Sequence, residues 1–356
     1  MTTVGWGEIL DGMEIRRAII RSAIERGIQE IRSDPQRGVR KLVDLGTHFS
    51  RGRFQKRIFR EMQDELVNPN TAYYALVTNL VNRVRAGHIE RLGIDIGFNS
   101  WTHGAAMIRE NEQKKGYNIP WCLVLNQTQE IQYDLDDLMC QGEKLGIYCY
   151  WAFAGDLEQT EALCAVFHKH RDSAVLLMLP DARLPRVNIE SLDNVMLFLP
   201  CGGDSVRESA EARAQRRCLF GLWTRYRSPE PVVSGGLERM AVELGAPIAL
   251  VVPEHGADAE ACAAVRSYAK RAREKKSIPA LLVDLYPTIE EVDRIISVES
   301  CMLGVEPDGT VFTAKGRNEQ IDVRRISLDD VLLCTMPRVT YTEQDAGKPA
   351  KSSERN

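Results

Sequence analysis

The chain has 356 residues, a formal net charge of -4 and 44% apolar residues. That length allows one large domain with an appendage or two domains, and the apolar content supplies a sizeable core. The small net charge argues against a protein whose whole surface binds nucleic acid, and no stretch approaches the roughly 20 apolar residues of a membrane span. Because the first residues contain no apolar signal-peptide core, the sequence predicts a cytoplasmic protein whose nine cysteines are thiols without zinc-type spacing.

The N-terminal region, residues 1–67, is predicted to be helical and basic. Apolar residues recur at helical spacing in its first half, and two further helices are predicted near Gly38–His48 and Phe54–Leu66. Residues 1–60 contain 13 Lys and Arg against 7 Asp and Glu. A cluster of cations near the third helix is either a solvated helix face or a docking site for an acidic protein or peptide partner, or for phosphate. The cluster, called the basic cluster below, consists of Arg51, Arg53, Lys56, Arg57 and Arg60.

Residues 68–120 are predicted to form a junction of helices with one short strand. The stretch NPNTAYYALVTNLVNRV is typical of a turn followed by a capped helix, and LGIDIGFNS predicts a short strand that ends in a Gly-Phe-Asn turn. We expect Thr102 to begin the next helix as its N-cap and Gly116 to end that helix.

Residues 121–297 alternate apolar strands with helices, which predicts an α/β fold of right-handed βαβ units and a parallel sheet. The even spacing of the strands favours a (β/α)6-type partial TIM barrel over an open doubly wound sheet, and no G-x-G-x-x-G supports a dinucleotide fold. Residues 205–227 are predicted as one long helical stretch, residues 298–340 as a small C-terminal hairpin extension, and residues 341–356 as a disordered tail. The six strands are predicted at 121–126, 147–153, 173–179, 195–200, 247–253 and 279–285.

In parallel α/β folds, binding and catalytic residues gather beyond the carboxyl ends of the strands. Most of the predicted strand ends offer a carboxylate, and such a set suits a divalent cation or a polar ligand. The alternative for each carboxylate is that it caps the following helix. The predicted ligand-binding residues are Asn126, Ala154, Gly155, Asp156, Gly202, Gly203 and Asp204. The predicted metal ligands are Asp204, His255 and Asp284, and the further candidates are Cys201, Glu254 and Cys301.

Three stretches within residues 118–335 resemble the radical S-adenosylmethionine (radical SAM) superfamily with a C-terminal extension. The first is NIPWCLVLN, which opens the βα pattern. The second is YWAFAGDLEQTEAL, which is similar to the family's Gly-Gly-Glu stretch and the helix after it. This resemblance implies that Ala154, Gly155 and Asp156 meet the amino group of the methionine moiety. The third is SCMLGVEPDGTVFTAKG with IDVRRISLDDVL, which is similar to the family's ending of a cysteine, a strand and a Pro-Asp-Gly turn.

The segment after the first strand departs from this family. Family enzymes carry CxxxCxxC there, and its thiolates hold a [4Fe–4S] cluster that binds S-adenosylmethionine. Here Asn126 is followed by QTQEIQYDLDDLMC, whereas iron–sulfur ligation needs thiolates at short, fixed spacing. Neither the cluster nor S-adenosylmethionine is therefore expected, although a divalent metal is allowed. Cys301 is interpreted as a structural remnant, because the place where relatives carry an auxiliary-cluster cysteine reads Thr313, Ala314 and Lys315.

Three functions fit this sequence. The favoured hypothesis is a radical-SAM-like barrel without a cluster that binds a ligand or a partner and catalyses no reaction. The second is a metal-dependent hydrolase or isomerase-type barrel enzyme, in which strand-end carboxylates and His255 hold a metal that activates water. The third is a true radical SAM enzyme whose cluster has unusual ligands. The thiols considered for that third function are Cys122, Cys149 and Cys201.

Overall fold

Seven parallel strands follow one another in chain order across the sheet of the computed structural model. Each strand pairs in parallel with the next, and the last of them lies at an edge of the sheet, so the barrel does not close. The predicted α/β partial barrel is therefore confirmed. The strands are β1 (Leu123–Gln127), β2 (Cys149–Ala154), β3 (Ala174–Met178), β4 (Val195–Pro200), β5 (Phe220–Tyr226), β6 (Ile248–Pro253) and β7 (Leu281–Asp284). The structure describes residues 6–49, 53–68, 70–185, 192–202, 205–254, 256–297 and 299–339.

Three further strands extend the sheet on the other side of β1. Strand β8 (Leu303–Val305) pairs in parallel with β1, and β9 (Thr310–Thr313) and β10 (Gly316–Asp322) continue as antiparallel neighbours. The Pro-Asp-Gly turn between β8 and β9 places Gly309 at a φ of 84°, in the left-handed region that favours glycine. The predicted C-terminal hairpin is thus confirmed, and the predicted disordered tail lies outside the described residues.

Helices cover the outer face of the sheet and the region before it. Aspartate side chains begin several of them: Asp134 accepts a hydrogen bond from the Asp137 N–H at 3.1 Å, which satisfies a free helix-end donor. No helix in the described ranges has the length and apolar character needed to cross a bilayer. The helices are α1 (Trp6–Ser33), α2 (Pro35–Phe49), α3 (Arg53–Glu65), α4 (Ala72–Arg83), α5 (Ala86–Gly93), a π-helix (Ile94–Gly104), α6 (Ala105–Lys115), α7 (Leu135–Leu145), α8 (Leu157–Phe167), α9 (Ser205–Gln215), α10 (Glu230–Val233), α11 (Gly236–Leu244), α12 (Ala259–Lys275), α13 (Leu285–Ile296) and α14 (Leu328–Thr335).

Strand β5 occupies part of a stretch that the sequence predicts as helix. Within residues 205–227, helix α9 ends at Gln215, and the following FGLWTRY segment pairs with both β4 and β6. The prediction of one long helix is wrong, because this apolar and aromatic segment suits a strand that is buried on both faces of the sheet. The barrel therefore has seven parallel strands where six were predicted.

The junction contains a π-helix where the sequence predicts a strand. Helix α5 continues through the π-helix into α6, so the strand predicted at LGIDIGFNS is wrong. Buried polar side chains explain the difference, because the Asn99 amide donates to the Asp95 carboxylate at 2.9 Å along the helix. Thr102 lies inside the π-helix and donates to the Gly97 carbonyl at 2.8 Å, so it is not the N-cap of α6. Gly116 ends α6 with a φ of 78°, as predicted.

The N-terminal helices lie at the amino ends of the barrel strands. Arg17 of α1 forms an ion pair with Asp172, just before β3, at 3.0 Å. The Ala72 N–H at the start of α4 donates to the Lys276 carbonyl, just before β7, at 3.1 Å. Parallel strands all begin at the same end of the barrel. These contacts therefore place the N-terminal helices at that end, opposite the carboxyl ends of the strands.

Aromatic rings fill the concave face of the sheet. Trp151 of β2 and Phe198 of β4 have ring centres 6.3 Å apart. Two glycines allow the backbone to pass close to such rings: a β-carbon at Gly221 would overlap the Phe198 ring, and one at Gly304 would overlap the Phe312 ring. The interior is consequently a packed core and not a pore.

Replacing Gly304 with alanine should destabilise the protein, since the new methyl group forces the half-buried Phe312 ring out of place. We expect the free energy of unfolding, measured by urea denaturation, to fall by about 1–3 kcal/mol. Gly87→Ala is the matched control, because no atom lies within 4 Å of its β-carbon position, and alanine is the better helix former. Equal stability of Gly304→Ala and the wild-type protein would contradict this packing.

Candidate functional site

Polar and aromatic side chains line a mouth at the carboxyl ends of the parallel strands. Phe153 of β2 contacts Trp223 of β5 with ring centres 5.5 Å apart. Since β3 and β4 separate those two strands in the sheet, the rings meet across its concave face. Asn126 lies beside Phe153 in the register of β1 and β2 and therefore shares this face. We define the mouth as Asn126, Phe153, Trp223, Arg225, Tyr286 and Glu306.

Arg225 places a positive charge over the aromatic wall of the mouth. Its guanidinium carbon lies 5.1 Å from the Phe153 ring centre and 5.5 Å from the Trp223 ring centre. The side chain is exposed at the end of β5, and within the described chain no aspartate or glutamate pairs with it. A guanidinium that stacks on aromatic rings keeps its N–H groups available for a carboxylate or phosphate.

Glu306 supplies the opposite charge on the other side of the mouth. Its Oε2 accepts a hydrogen bond from the Asn126 amide at 2.6 Å, which ties the ends of β1 and β8 together. Burial raises the pKa of Tyr286, while Arg225 opposes that rise and Glu306 adds to it. Both charges therefore lie near the Tyr286 phenol. The mouth can bind an anionic group at Arg225 and a hydrogen-bond donor at Glu306.

The loop that follows β1, residues 128–134, packs against the second strand end. The Gln159 carboxamide accepts a hydrogen bond from the Gly155 N–H at 2.7 Å and donates to the Gln129 carbonyl. A β-carbon at Gly155 would overlap the Thr128 carbonyl oxygen. The Gln132 N–H also donates to the Pro307 carbonyl at 2.9 Å, which fixes the loop to the hairpin. The predicted ligand-binding residue Gly155 thus contacts this loop directly.

Two of the strand-end carboxylates are engaged in local contacts. Asp156 Oδ1 accepts a hydrogen bond from the Gln159 N–H at 2.7 Å and so caps α8. Asp181 pairs with Arg183 at 2.7 Å, and this hydrogen bond lowers the Asp181 pKa. The neighbouring candidate Ala154 is 5% exposed, which leaves little of it for a ligand to contact.

The fourth and fifth predicted strand ends are described in part. Gly202 has a φ of 121°, a conformation that favours glycine. The Cys201 thiol lies 3.6 Å from the Met240 sulfur, and burial raises its pKa to about 12. Glu254 is exposed, and its N–H donates to the Tyr226 carbonyl at 2.8 Å. The remaining candidates at these ends, Gly203, Asp204 and His255, lie outside the described residues.

Asp284 faces the helical layer and not the mouth. It lies beside Val251 in the register of β6 and β7, whereas the mouth-facing Trp223 lies beside Leu250. The carboxyl group is 2% exposed, and neither oxygen has a hydrogen-bond partner among the described residues. Burial raises its pKa to about 7, against the effect of nearby Arg266. The structure therefore does not bring this predicted metal ligand to the other strand ends.

The three thiols considered for a cluster with unusual ligands do not converge. Cys122 precedes β1 and Cys149 begins β2, whereas Cys201 follows the carboxyl end of β4. These three thiols therefore lie at opposite ends of the barrel. The described residues also contain no set of three His, Cys, Asp or Glu side chains placed to hold a metal ion.

Cys301 makes the contacts of a core residue. It is 2% exposed, and its N–H donates to the Asp293 carboxylate at 3.2 Å. Burial raises the pKa of its thiol well above the ordinary value, with Asp293 adding to the rise. A thiol with a raised pKa is protonated at neutral pH and is a poor nucleophile or metal ligand.

Sequence reasoning predicted only Asn126 among the six residues of the mouth and missed the other five, Phe153 included. Trp223 and Arg225 were hidden by the helix predicted for 205–227, although the apolar run CLFGLW is a strand signal. Tyr286 and Glu306 follow strands β7 and β8, but the sequence alone does not show that the two ends face each other.

The basic cluster is described in part. Lys56, Arg57 and Arg60 are exposed on α3. Arg51 and the side chain of Arg53 lie outside the described residues. Docking of a partner at this surface stays a prediction.

No protein-family model matches the sequence, and the search of curated proteins found no match. Among solved structures, the chain is similar to Streptococcus suis SuiB bound to precursor peptide SuiA, with a TM-score of 0.46 and 10% identity over 64% of this chain and 67% of that chain. It is also similar to anSMEcpe with bound AdoMet, with a TM-score of 0.36 and 10% identity over 59% of this chain and 80% of that chain.

A dehydratase gives a comparable similarity. The 3-dehydroquinate dehydratase from Geobacillus kaustophilus has a TM-score of 0.36 and 13% identity over 62% of this chain and 93% of that chain. Because every one of these TM-scores is below 0.5, the comparisons carry no argument about activity. The assignment of the fold rests on the strand order and register.

Asp284→Asn should flatten the pH dependence of stability. The unfolded chain loses the Asp284 proton near about pH 4, whereas the folded chain holds it to about 7. Between those two pH values, the native state binds the Asp284 proton more tightly than the unfolded chain does. The stability that this proton provides is therefore lost as the pH rises. The free energy of unfolding of the wild-type protein should fall between about pH 5 and pH 8. In the variant, this fall should be about 1–3 kcal/mol smaller.

Urea denaturation at both pH values measures this difference. Asp258→Asn is the matched control, because asparagine also serves as an N-cap for α12. Parallel pH profiles for Asp284→Asn and the wild-type protein would show that the buried carboxyl group does not titrate as described.

Proposed function

We propose that this chain is a radical-SAM-like barrel protein without an iron–sulfur cluster, and that it binds a peptide at the mouth without catalysing a reaction. The observation that carries the proposal is the exposed Arg225 guanidinium over the rings of Phe153 and Trp223. A guanidinium in this setting recognises a carboxylate through paired hydrogen bonds. The rings of Phe153 and Trp223 are buried, and they hold the guanidinium in position at the mouth.

The second charge of the mouth favours a peptide over a simple anion. Glu306 accepts from Asn126 through Oε2, and a carboxylate has further acceptor sites for a ligand N–H. A peptide carries a backbone N–H donor close to every acidic side chain. Its carboxylate would bind Arg225, and an N–H donor would bind Glu306. SuiB, one of the similar structures, is bound to a precursor peptide, but the proposal for this chain depends on these two charges.

The loop after β1 supports the proposal that the protein has no iron–sulfur cluster. The loop contains no cysteine, and the Thr128 carbonyl occupies the space beside Gly155. In the family that this sequence resembles, the corresponding strand end meets the amino group of S-adenosylmethionine.

A metal-dependent barrel enzyme is the weaker alternative. It needs the strand-end carboxylates to converge, whereas Asp284 faces the helices and Asp156 caps α8. A second partner surface is proposed at the basic cluster, where Lys56 and Arg60 would attract an acidic protein. That surface belongs to the N-terminal helical region, which lies at the amino ends of the strands, so it would leave the mouth open.

Peptide binding at the mouth is tested with two pools of acetylated, amidated pentapeptides, one with a central aspartate and one with asparagine in its place. We expect the purified chain to retain the aspartate pool preferentially. Isothermal titration calorimetry with retained peptides should show a loss of affinity of about tenfold for Arg225→Gln. Arg26→Gln is the control, because Arg26 is exposed on α1, at the other end of the barrel. Equal retention of both pools, or undiminished affinity of Arg225→Gln, would contradict the proposal.

A further inference from the structure

A groove of about 510 Å³ lies on the outer surface of the barrel between α11 and α12. It is separate from the mouth, because its walls are helices that pack outside the sheet. Apolar side chains form part of the walls, and charged side chains of both signs form the rest. The residues that line the groove include Gly235, Glu238, Arg239, Tyr268, Arg271 and Lys275.

Three polar groups converge beside Gly235, at the start of α11. A methyl group on this residue would stand 3.2 Å from Arg239 Nη1, 3.2 Å from the Tyr268 hydroxyl oxygen and 3.8 Å from Glu238 Oε2. Gly235 has a φ of 72°, so the backbone favours glycine here and keeps this space free of a side chain. One small ligand group can therefore contact a guanidinium, a phenol and a carboxylate together.

Glu238 supplies an acceptor that the protein itself does not use. The residue is 6% exposed, and its Oε1 accepts a hydrogen bond from the Tyr268 hydroxyl at 2.9 Å. Its Oε2 has no hydrogen-bond partner within the described residues. An unsatisfied buried carboxylate oxygen is costly, so at a groove it is an acceptor for water or for a ligand that donates a hydrogen bond.

The rest of the groove attracts an anion. Arg239, Arg271 and Lys275 have no aspartate or glutamate partner in the described part of the chain. The other acidic residue in the groove, Glu243, is already paired with Arg207. The first turn of α11 has no side-chain cap, so its N–H groups add to the positive potential. The ligand must therefore be an anion that also donates a hydrogen bond.

We propose that this groove binds a phosphate group that still carries a proton. Its unprotonated oxygens would bind Arg239, Arg271 and Lys275, and its P–OH group would donate to Glu238 Oε2. Sulfate has the same shape but carries no proton at neutral pH. A negative sulfate oxygen would therefore face the negative Glu238 carboxylate without a hydrogen bond. The buried carboxylate thereby makes the groove selective for phosphate over sulfate.

Two sources of this group share the same chemistry. Inorganic phosphate keeps one proton above neutral pH, whereas a phosphomonoester loses its last proton with a pKa of about 6. At about pH 8 the groove should bind inorganic phosphate and exclude methyl phosphate, and at about pH 5.5 it should bind both. Stronger binding of methyl phosphate than of inorganic phosphate at the lower pH would identify a phosphomonoester as the ligand.

Isothermal titration calorimetry of the full chain with these anions and with sulfate tests the proposal. We expect phosphate to bind about tenfold more tightly than sulfate at about pH 8, and Lys275→Ala to weaken phosphate binding by about tenfold. Lys270→Ala is the matched control, because Lys270 is on the same helix but lies outside the groove. Glu238→Gln should bring the ratio of phosphate to sulfate affinity close to one.

Three results would overturn the proposal. The first is the absence of phosphate binding at millimolar concentration, and the second is equal affinity for phosphate and sulfate in the wild-type chain. The third is unchanged phosphate binding in Lys275→Ala. Because Lys275 is exposed, its substitution leaves the fold intact and keeps the test valid even if Glu238→Gln fails to fold.

Discussion

Strands β8 and β1 to β7 are all parallel, and this register determines where the side chains of the barrel lie. It brings every strand start to one end of the barrel, where the N-terminal helices pack, and every strand end to the other. It also fixes which side chains point into the concave face, since neighbouring residues of a strand point to opposite faces. Arg225 reaches the mouth for this reason, and Asp284 is directed to the helices for the same reason.

The mouth has a different organisation from the one that the family resemblance implies. The loop after β1 has no thiols and is fixed at two places, on Gly155 and on the Pro307 carbonyl of the hairpin. Aromatic rings and a single guanidinium occupy the strand ends opposite this loop. These features suit recognition of a charged ligand by preformed contacts. The groove between α11 and α12 is a separate surface on the outside of the same barrel, and we propose it as an anion site.

Much of the fold was predictable because strands buried on both faces are long apolar runs, as in VMLFLP of β4. The errors occurred where local patterns mislead: β5 directly follows an Arg-rich helix end, and the apolar alternation of LGIDIGFNS hides a π-helix with buried Asp95 and Asn99. The site was less predictable. The position of Asp156 just before a helix is typical of a helix cap. In contrast, the face of the sheet on which Asp284 lies depends on strand register, and the hydrogen bond between Glu306 and Asn126 depends on contact between distant segments.

Iron analysis tests the proposal that the loop after β1 holds no iron–sulfur cluster. The chain is purified anaerobically, incubated with ferrous iron, sulfide and reductant, and desalted. Bound iron is then counted alongside the visible spectrum. We expect iron far below one atom per chain and a colourless protein. A brown protein with about four irons per chain, the content of a [4Fe–4S] cluster, would contradict it.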